Sequence, residues 1–145
     1  MTATLYNSQI LRLATNIPHH ARLTGAQGTS ERRSPICGSR VTVDVILDAE
    51  GRIVALGQEV RACALGQASA SLLGAHAIGR SLGELVEARD ALAAFLAGQR
   101  ADPGSWPGLE LFGAAQAHSA RHASIRLAFE AVAEATERAS RAEAA

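Results

Sequence analysis

Residues 40–62 read RVTVDVILDAEGRIVALGQEVRA, and this stretch decides the fold. Val41, Val43, Val45 and Leu47 alternate with Arg40, Thr42 and Asp44, the period-two pattern of a half-buried strand. Asp48-Ala49-Glu50-Gly51 carries turn chemistry, and residues 52–62 form a second strand in which Gly57 marks a bulge or a close backbone approach. Two strands joined by so short a turn make an antiparallel hairpin with one solvated face.

Downstream of the hairpin the pattern turns helical. Residues 65–78 (LGQASASLLGAHAI) are small and apolar on every side, as in a buried helix. Residues 81–97 open with Ser81 and Glu84 at capping-box spacing and stop at Gly98. Residues 99–108 are a Pro/Gly turn region, and a last helix spans 114 to about 142 with Ile125, Ala128, Phe129 and Val132 as its buried stripe. Its tail is expected to fray from Ala139.

Upstream, residues 4–17 place Leu5, Gln9, Ile10, Leu13 and Ile17 at helical spacing; Asn7 or Ser8 caps the start and Pro18 ends the run. Residues 18–39 show no period and read as an extended loop, long for a compact domain unless it has a task. The order of elements predicts a single α+β domain over residues 1–145, a small antiparallel sheet with helices packed on one face. There is no internal repeat.

Composition narrows the function. With 145 residues, 48% hydrophobic and 19% charged, the chain can build its own core and is not disordered. No apolar run approaches the roughly 18 residues of a membrane helix. The first residues lack a secretory pattern, so a cytoplasmic location is expected. Fourteen basic residues balance fourteen acidic ones, which argues against nucleic acid or an anionic membrane as partner. Every basic residue is Arg, so neither Schiff-base chemistry nor a phosphate-loop lysine is available. The aromatics are only Tyr6, Phe95, Trp106, Phe112 and Phe129, too few for a base-stacking platform. No Gly-rich strand-to-helix loop, paired-carboxylate cleft or serine elbow supports an enzyme.

The residues left to carry chemistry are cysteines and histidines. Two cysteines in a cytosolic protein are reactive or metal-binding more often than disulfide-bonded. Cys37 lies directly before the first strand, between Pro35 and Gly38; Cys63 lies where the second strand gives way to the buried helix. The amides of that helix and Arg61 would favour a Cys63 thiolate. Because a hairpin brings its ends together, Cys37 and Cys63 should be neighbours. The competing reading, two thiols that only fill space, fits their positions at element junctions less well. His19 and His20 fall in the loop, and His76 in the apolar helix, where a packing role is expected. His118 and His122 are four apart and share a helix face or flank its start. Cys37, Cys63 and His122 together offer two thiolates and an imidazole, suited to a borderline-soft metal or an iron–sulfur cluster.

Ser34-Pro35-Ile36-Cys37-Gly38-Ser39, then Asp48-Ala49-Glu50-Gly51-Arg52-Ile53, then Cys63-Ala64-Leu65-Gly66-Gln67-Ala68-Ser69-Ala70-Ser71-Leu72-Leu73 resemble the U-type iron–sulfur cluster scaffold family, the NifU N-terminal domain with its IscU- and SufU-like relatives. Residues 6–14 are similar to the family's opening helix, and the resemblance covers about residues 5–135. It implies a SufE/NifU-like fold with a three-stranded sheet. It also implies a nascent [2Fe–2S] cluster held by three cysteines with an Asp two residues after the first. The first two ligands fall on Cys37 and Cys63. The third falls in the register of His122-Ala123-Ser124-Ile125, where His122 keeps a ligand, and Ser39 stands at the Asp position. His118 is a candidate fourth ligand, and Arg40 and Arg61 could offset cluster or persulfide charge. The proline-rich chaperone motif of one branch is missing from residues 109–117. The resemblance further implies a cysteine desulfurase and apo iron–sulfur acceptor proteins as partners, and a monomer or transient homodimer. The SufU-like branch implies an alternative, zinc on the same ligands in a sulfur acceptor. A metal-free adaptor is the third reading.

Overall fold

The computed structural model describes residues 5–35 and 38–144. The elements are α1 (Ser8–Ala14), β1 (Gly28–Arg33), β2 (Arg40–Leu47), β3 (Ile53–Arg61), α2 (Ala64–His76), α3 (Leu82–Leu96), a 3-10 helix (Leu109–Ala117) and α4 (Ser119–Ala144). The strands form one antiparallel sheet in the order β1-β2-β3, so the expected α+β class with a three-stranded sheet holds.

The β2–β3 hairpin forms where the alternation placed it, with Val41 opposite Val60 and Val45 opposite Leu56. Asp48 closes its turn, accepting from the N–H groups of Glu50 and Arg52. Gly51 supplies the positive φ of 79° that the turn requires. The register shift lies between Ile46 and Leu47 rather than at Gly57. Gly57 is instead a close approach: a Cβ there would stand 2.5 Å from the carbonyl oxygen of Ala21.

Two expectations fail here, for one physical reason. Residues 18–39 are not a continuous loop, because Gly28–Arg33 pairs along β2 as an edge strand. Nor does the hairpin keep a solvated face: Thr42 and Asp44 are as buried as Val41, Val43 and Val45. Residues 19–23 fold across that face and are pinned by polar contacts. The Gln58 N–H donates to the carbonyls of His19 and Ala21, and Arg22 reaches Asp44 at 2.6 Å. Strand β1 escapes the period-two test because its inward positions are Gly28 and Ser30. A Cβ at Gly28 would lie 2.0 Å from the Ala135 carbonyl oxygen, so only glycine lets α4 settle onto the strand.

Helix α4 is the central pillar, packing on β1, β2, α2 and α3. Its buried stripe is Ile125, Ala128, Phe129 and Val132, as the spacing indicated. It does not fray at Ala139, which is fully buried against β1 and holds the helix to its end. Ser81 caps α3 in a full capping box with Glu84, and Asn7 caps α1. Trp106 stands under this end of the bundle, edge-on to Phe129, with its indole N–H donating to the Leu72 carbonyl. The last helix starts later than expected, since residues 109–117 wind as a 3-10 helix that buries Leu109, Phe112 and Ala115.

Candidate functional site

The hairpin geometry decides which residues meet. Strands β1 and β2 are joined by residues 34–39, and the Ser34 N–H donates to the Ser39 carbonyl at 2.8 Å, closing that loop. Arg40 lies opposite both Arg33 and Arg61 in register, so the loop sits at the same end of the sheet as the exit from β3. Two residues beyond Arg61, Cys63 occupies the N-cap of α2. Cys37 lies outside the described residues; its loop and Cys63 share one end of the sheet.

Cys63 is a free thiol, half-buried. The expected contact between its sulfur and the amides of α2 is not made: as N-cap it forms no side-chain capping bond. Its sulfur instead lies 3.2 Å from the hydroxyl of Ser124 on α4. The Ser124 hydroxyl is in turn 3.1 Å from that of Ser39. Ser39 and Ser124 are both buried, so the chain Ser39 Oγ, Ser124 Oγ, Cys63 Sγ runs from interior to surface. It joins the residue two beyond Cys37, Cys63 itself and the residue two beyond His122.

The α2–α4 contact that makes this possible rests on small residues. A Cβ on Gly66 would stand 2.6 Å from Ser124 Oγ, so the missing side chain leaves room for the hydroxyl. One turn on, Ser69 donates to the Ile125 carbonyl at 2.6 Å and locks the two helices in register. A row of arginines borders the site, with Arg40 between Glu31 at 3.7 Å and Glu59 at 3.8 Å. Those carboxylates offset the repulsion expected of like charges paired across strands. Glu31 is held below the usual carboxylate range, chiefly by its hydrogen bond from Arg33.

His122 lies half-buried in the first turns of α4. Its Nε2 is 2.8 Å from the Ala115 carbonyl oxygen. A carbonyl only accepts, so Nε2 carries the proton and Nδ1 is the nitrogen left for a metal. Residues two apart on a helix point about 200° apart, so this ring turns toward the 3-10 helix while Ser124 faces α2. His118 ends the 3-10 helix and is exposed. His76 packs edge-on against Trp106 and takes the packing role expected of it. Among the described residues, no three His, Cys, Asp or Glu side chains are grouped closely enough to hold a metal ion.

Sequence reasoning missed Ser124 as a neighbour of Cys63. The signal available was the run of small residues at Gly66 and Ser69, three apart on α2, which marks a close helix crossing.

With this geometry in hand, the chain belongs to the NifU-like N terminal domain family, whose model matches residues 5–135. This is a family of iron–sulfur cluster assembly scaffolds. A NifU-like N-terminal protein from Brucella abortus is 35% identical, with a TM-score of 0.88 over 94% of this chain and 95% of that one. An iron–sulfur cluster assembly scaffold of the SUF system from Fervidobacterium islandicum shares the fold at 21% identity, with a TM-score of 0.83 over 91% of this chain and 96% of that one. No curated protein matches the sequence. Among the described residues, no helix is long and apolar enough to cross a membrane.

Proposed function

We propose that this protein accepts iron and sulfide, holds them as a nascent [2Fe–2S] cluster on Cys37, Cys63 and His122, and passes the cluster to apo acceptor proteins. The observation that carries the reading is the convergence of Ser39, Cys63 and Ser124 within hydrogen-bonding distance. It gathers at one spot the ends of the three segments that bear the proposed ligands.

The chemistry of the donors suits the cargo. Thiolates are the usual ligands of iron–sulfur clusters, and an imidazole in place of a thiolate raises the cluster potential. Cys63 sits half-buried at the end of a helix, open enough for a cluster to be loaded and removed. His122, whose ring turns toward the Ala115 carbonyl in this structure, would have to swing toward Cys63 to bind. The arginines at positions 33, 40 and 61 put positive charge beside an anionic cargo. The protein breaks no bond in a metabolite, so it acts as a carrier and not as an enzyme. Sulfur would arrive as the persulfide sulfur of a cysteine desulfurase and be reduced to sulfide by a two-electron donor such as a dithiol, and the cytoplasm is the compartment in which such thiols stay reduced.

The test is anaerobic reconstitution of the wild-type chain and of Cys63→Ser. The wild type is expected to take up iron and sulfide with a thiolate-to-iron absorption band, and the variant to lose most of both. A variant with an unchanged visible spectrum and full iron content would refute the assignment.

A further inference from the structure

We infer that Ser124 is the positioning residue for Cys63, its hydroxyl donating to the sulfur whenever that sulfur is anionic. The inference rests on the reading of Cys63 as a ligand and adds a residue to it.

The argument follows from donor and acceptor counts. A thiol sulfur can donate one hydrogen and accept weakly, whereas a thiolate or metal-bound sulfur can only accept. A serine hydroxyl has one hydrogen and two lone pairs. While Cys63 is a thiol, Ser124 can therefore donate to the sulfur or accept from it. Once Cys63 is anionic, only the first remains. Ser124 must then donate to the sulfur and can accept from Ser39. Rotation of the Ser124 hydroxyl is enough to change the direction of its bond to the sulfur, with no heavy atom moved, so it serves the loaded and empty states alike.

Burial gives the bond its weight. Ser124 is 1% exposed and Ser39 3% exposed, so water competes poorly for either hydroxyl. Gly66 fixes the approach, since a Cβ there would collide with Ser124 Oγ. Groups that hydrogen-bond to metal ligands orient them, and their loss typically costs 10–100-fold in metal affinity. Ser69 provides an internal control: it is an equally buried hydroxyl on the same α2–α4 contact, but it bonds the Ile125 carbonyl.

The first experiment is zinc affinity of the full chain by chelator competition. Ser124→Ala is expected to weaken zinc about 10–100-fold. Ser39→Ala is expected to weaken it less, because Ser124 can still donate. Ser69→Ala should weaken it far less than Ser124→Ala, since it removes a bond of the α2–α4 contact but none to the sulfur. Equal affinity in wild type and Ser124→Ala would overturn the inference, and so would an equal loss in Ser69→Ala, which would reduce Ser124 to packing. The second experiment needs no metal. In the Cys37→Ser background the only thiol is Cys63, and its S–H stretching band reports its hydrogen bonding. Ser124→Ala is expected to shift that band toward a free thiol; an unmoved band together with unchanged zinc affinity would overturn the contact itself. A wild type that binds no metal would sink the proposed function, while a shifted S–H band would still show the Ser124 contact.

Discussion

Two buried polar nodes flank the β2 strand, and they are built on opposite principles. At one, Asp44 is fully buried and its carboxylate is saturated. It accepts from Arg22 Nε at 2.6 Å and Nη2 at 3.1 Å, from the Leu23 N–H at 3.0 Å and from the Thr29 hydroxyl at 2.6 Å. At the other, Ser39, Ser124 and Cys63 form a neutral chain whose hydrogens can point either way. The first node has a single arrangement and ties residues 22–29 to the sheet. The second has more than one, and one end of it reaches solvent through a half-buried sulfur.

Breaking the saturated node should have the larger effect on stability. Asp44→Ala strips the partner from Arg22 and leaves the Leu23 N–H and Thr29 hydroxyl unsatisfied under the loop. Removal of one member of a buried pair costs about 3–5 kcal/mol. Arg22 is 48% exposed, which places the expected loss toward the lower end of that range. Urea denaturation measures it, and a loss below about 1 kcal/mol would show that the loop is held by something else. Zinc affinity of the folded variant should match wild type, since Asp44 belongs to the other node.

The same carboxylate makes a pH prediction. Burial pushes the Asp44 carboxyl up, but hydrogen bonds from Arg22, Thr29 and the Leu23 N–H outweigh it and hold the group below the usual Asp range. A depressed carboxylate stabilises the fold above the unfolded value of about 3.9, and that contribution disappears as pH falls through the folded value. Stability should therefore drop below about pH 4, and the drop should be shallower in Asp44→Asn. Parallel acid profiles for the two proteins would contradict this.

At the adaptable node, Ser124→Ala should cost only about 1 kcal/mol of stability, the ordinary worth of a buried hydroxyl bond. Its signature is in metal affinity instead, and that contrast with Asp44→Ala is the sharpest test of the comparison. A stability loss in Ser124→Ala as large as that in Asp44→Ala would make both nodes structural.

The smallest effect belongs to a third cluster, at the surface. Glu84 is held at about 2 by the Ser81 N–H of its capping box, then by Arg52 and Arg80. Arg80 also lies over the Trp106 ring at 4.7 Å. Because Glu84 is 40% exposed, solvent screens most of this, and Glu84→Gln should cost no more than about 1 kcal/mol. Thermal melts at neutral pH would show it, and a larger loss would mean that the cluster pins α3 to the hairpin.

The contrast also explains what could be read without the structure. The β2–β3 hairpin was legible because its valines alternate, and that Ser39 and Cys63 lie at one end of the sheet followed from hairpin geometry. Strand β1 was not legible, because its inward residues are Gly28 and Ser30, small enough for α4 and invisible to a hydrophobic period. Asp44 read as the solvated side of a strand; the arginine that buries it comes from residue 22, and no local pattern links the two. Ser124 was hidden for a related reason. A serine in an alanine-rich helix carries no signal of its own, and what gives it meaning is a glycine on another helix.

Metal analysis of the protein purified without oxygen decides whether this site carries the proposed iron–sulfur cluster. Iron, zinc and acid-labile sulfide measured on one sample should give iron and sulfide in equal amounts, with little zinc. About one zinc per chain and no sulfide, the tetrahedral thiolate–imidazole alternative for the same donors, would contradict it.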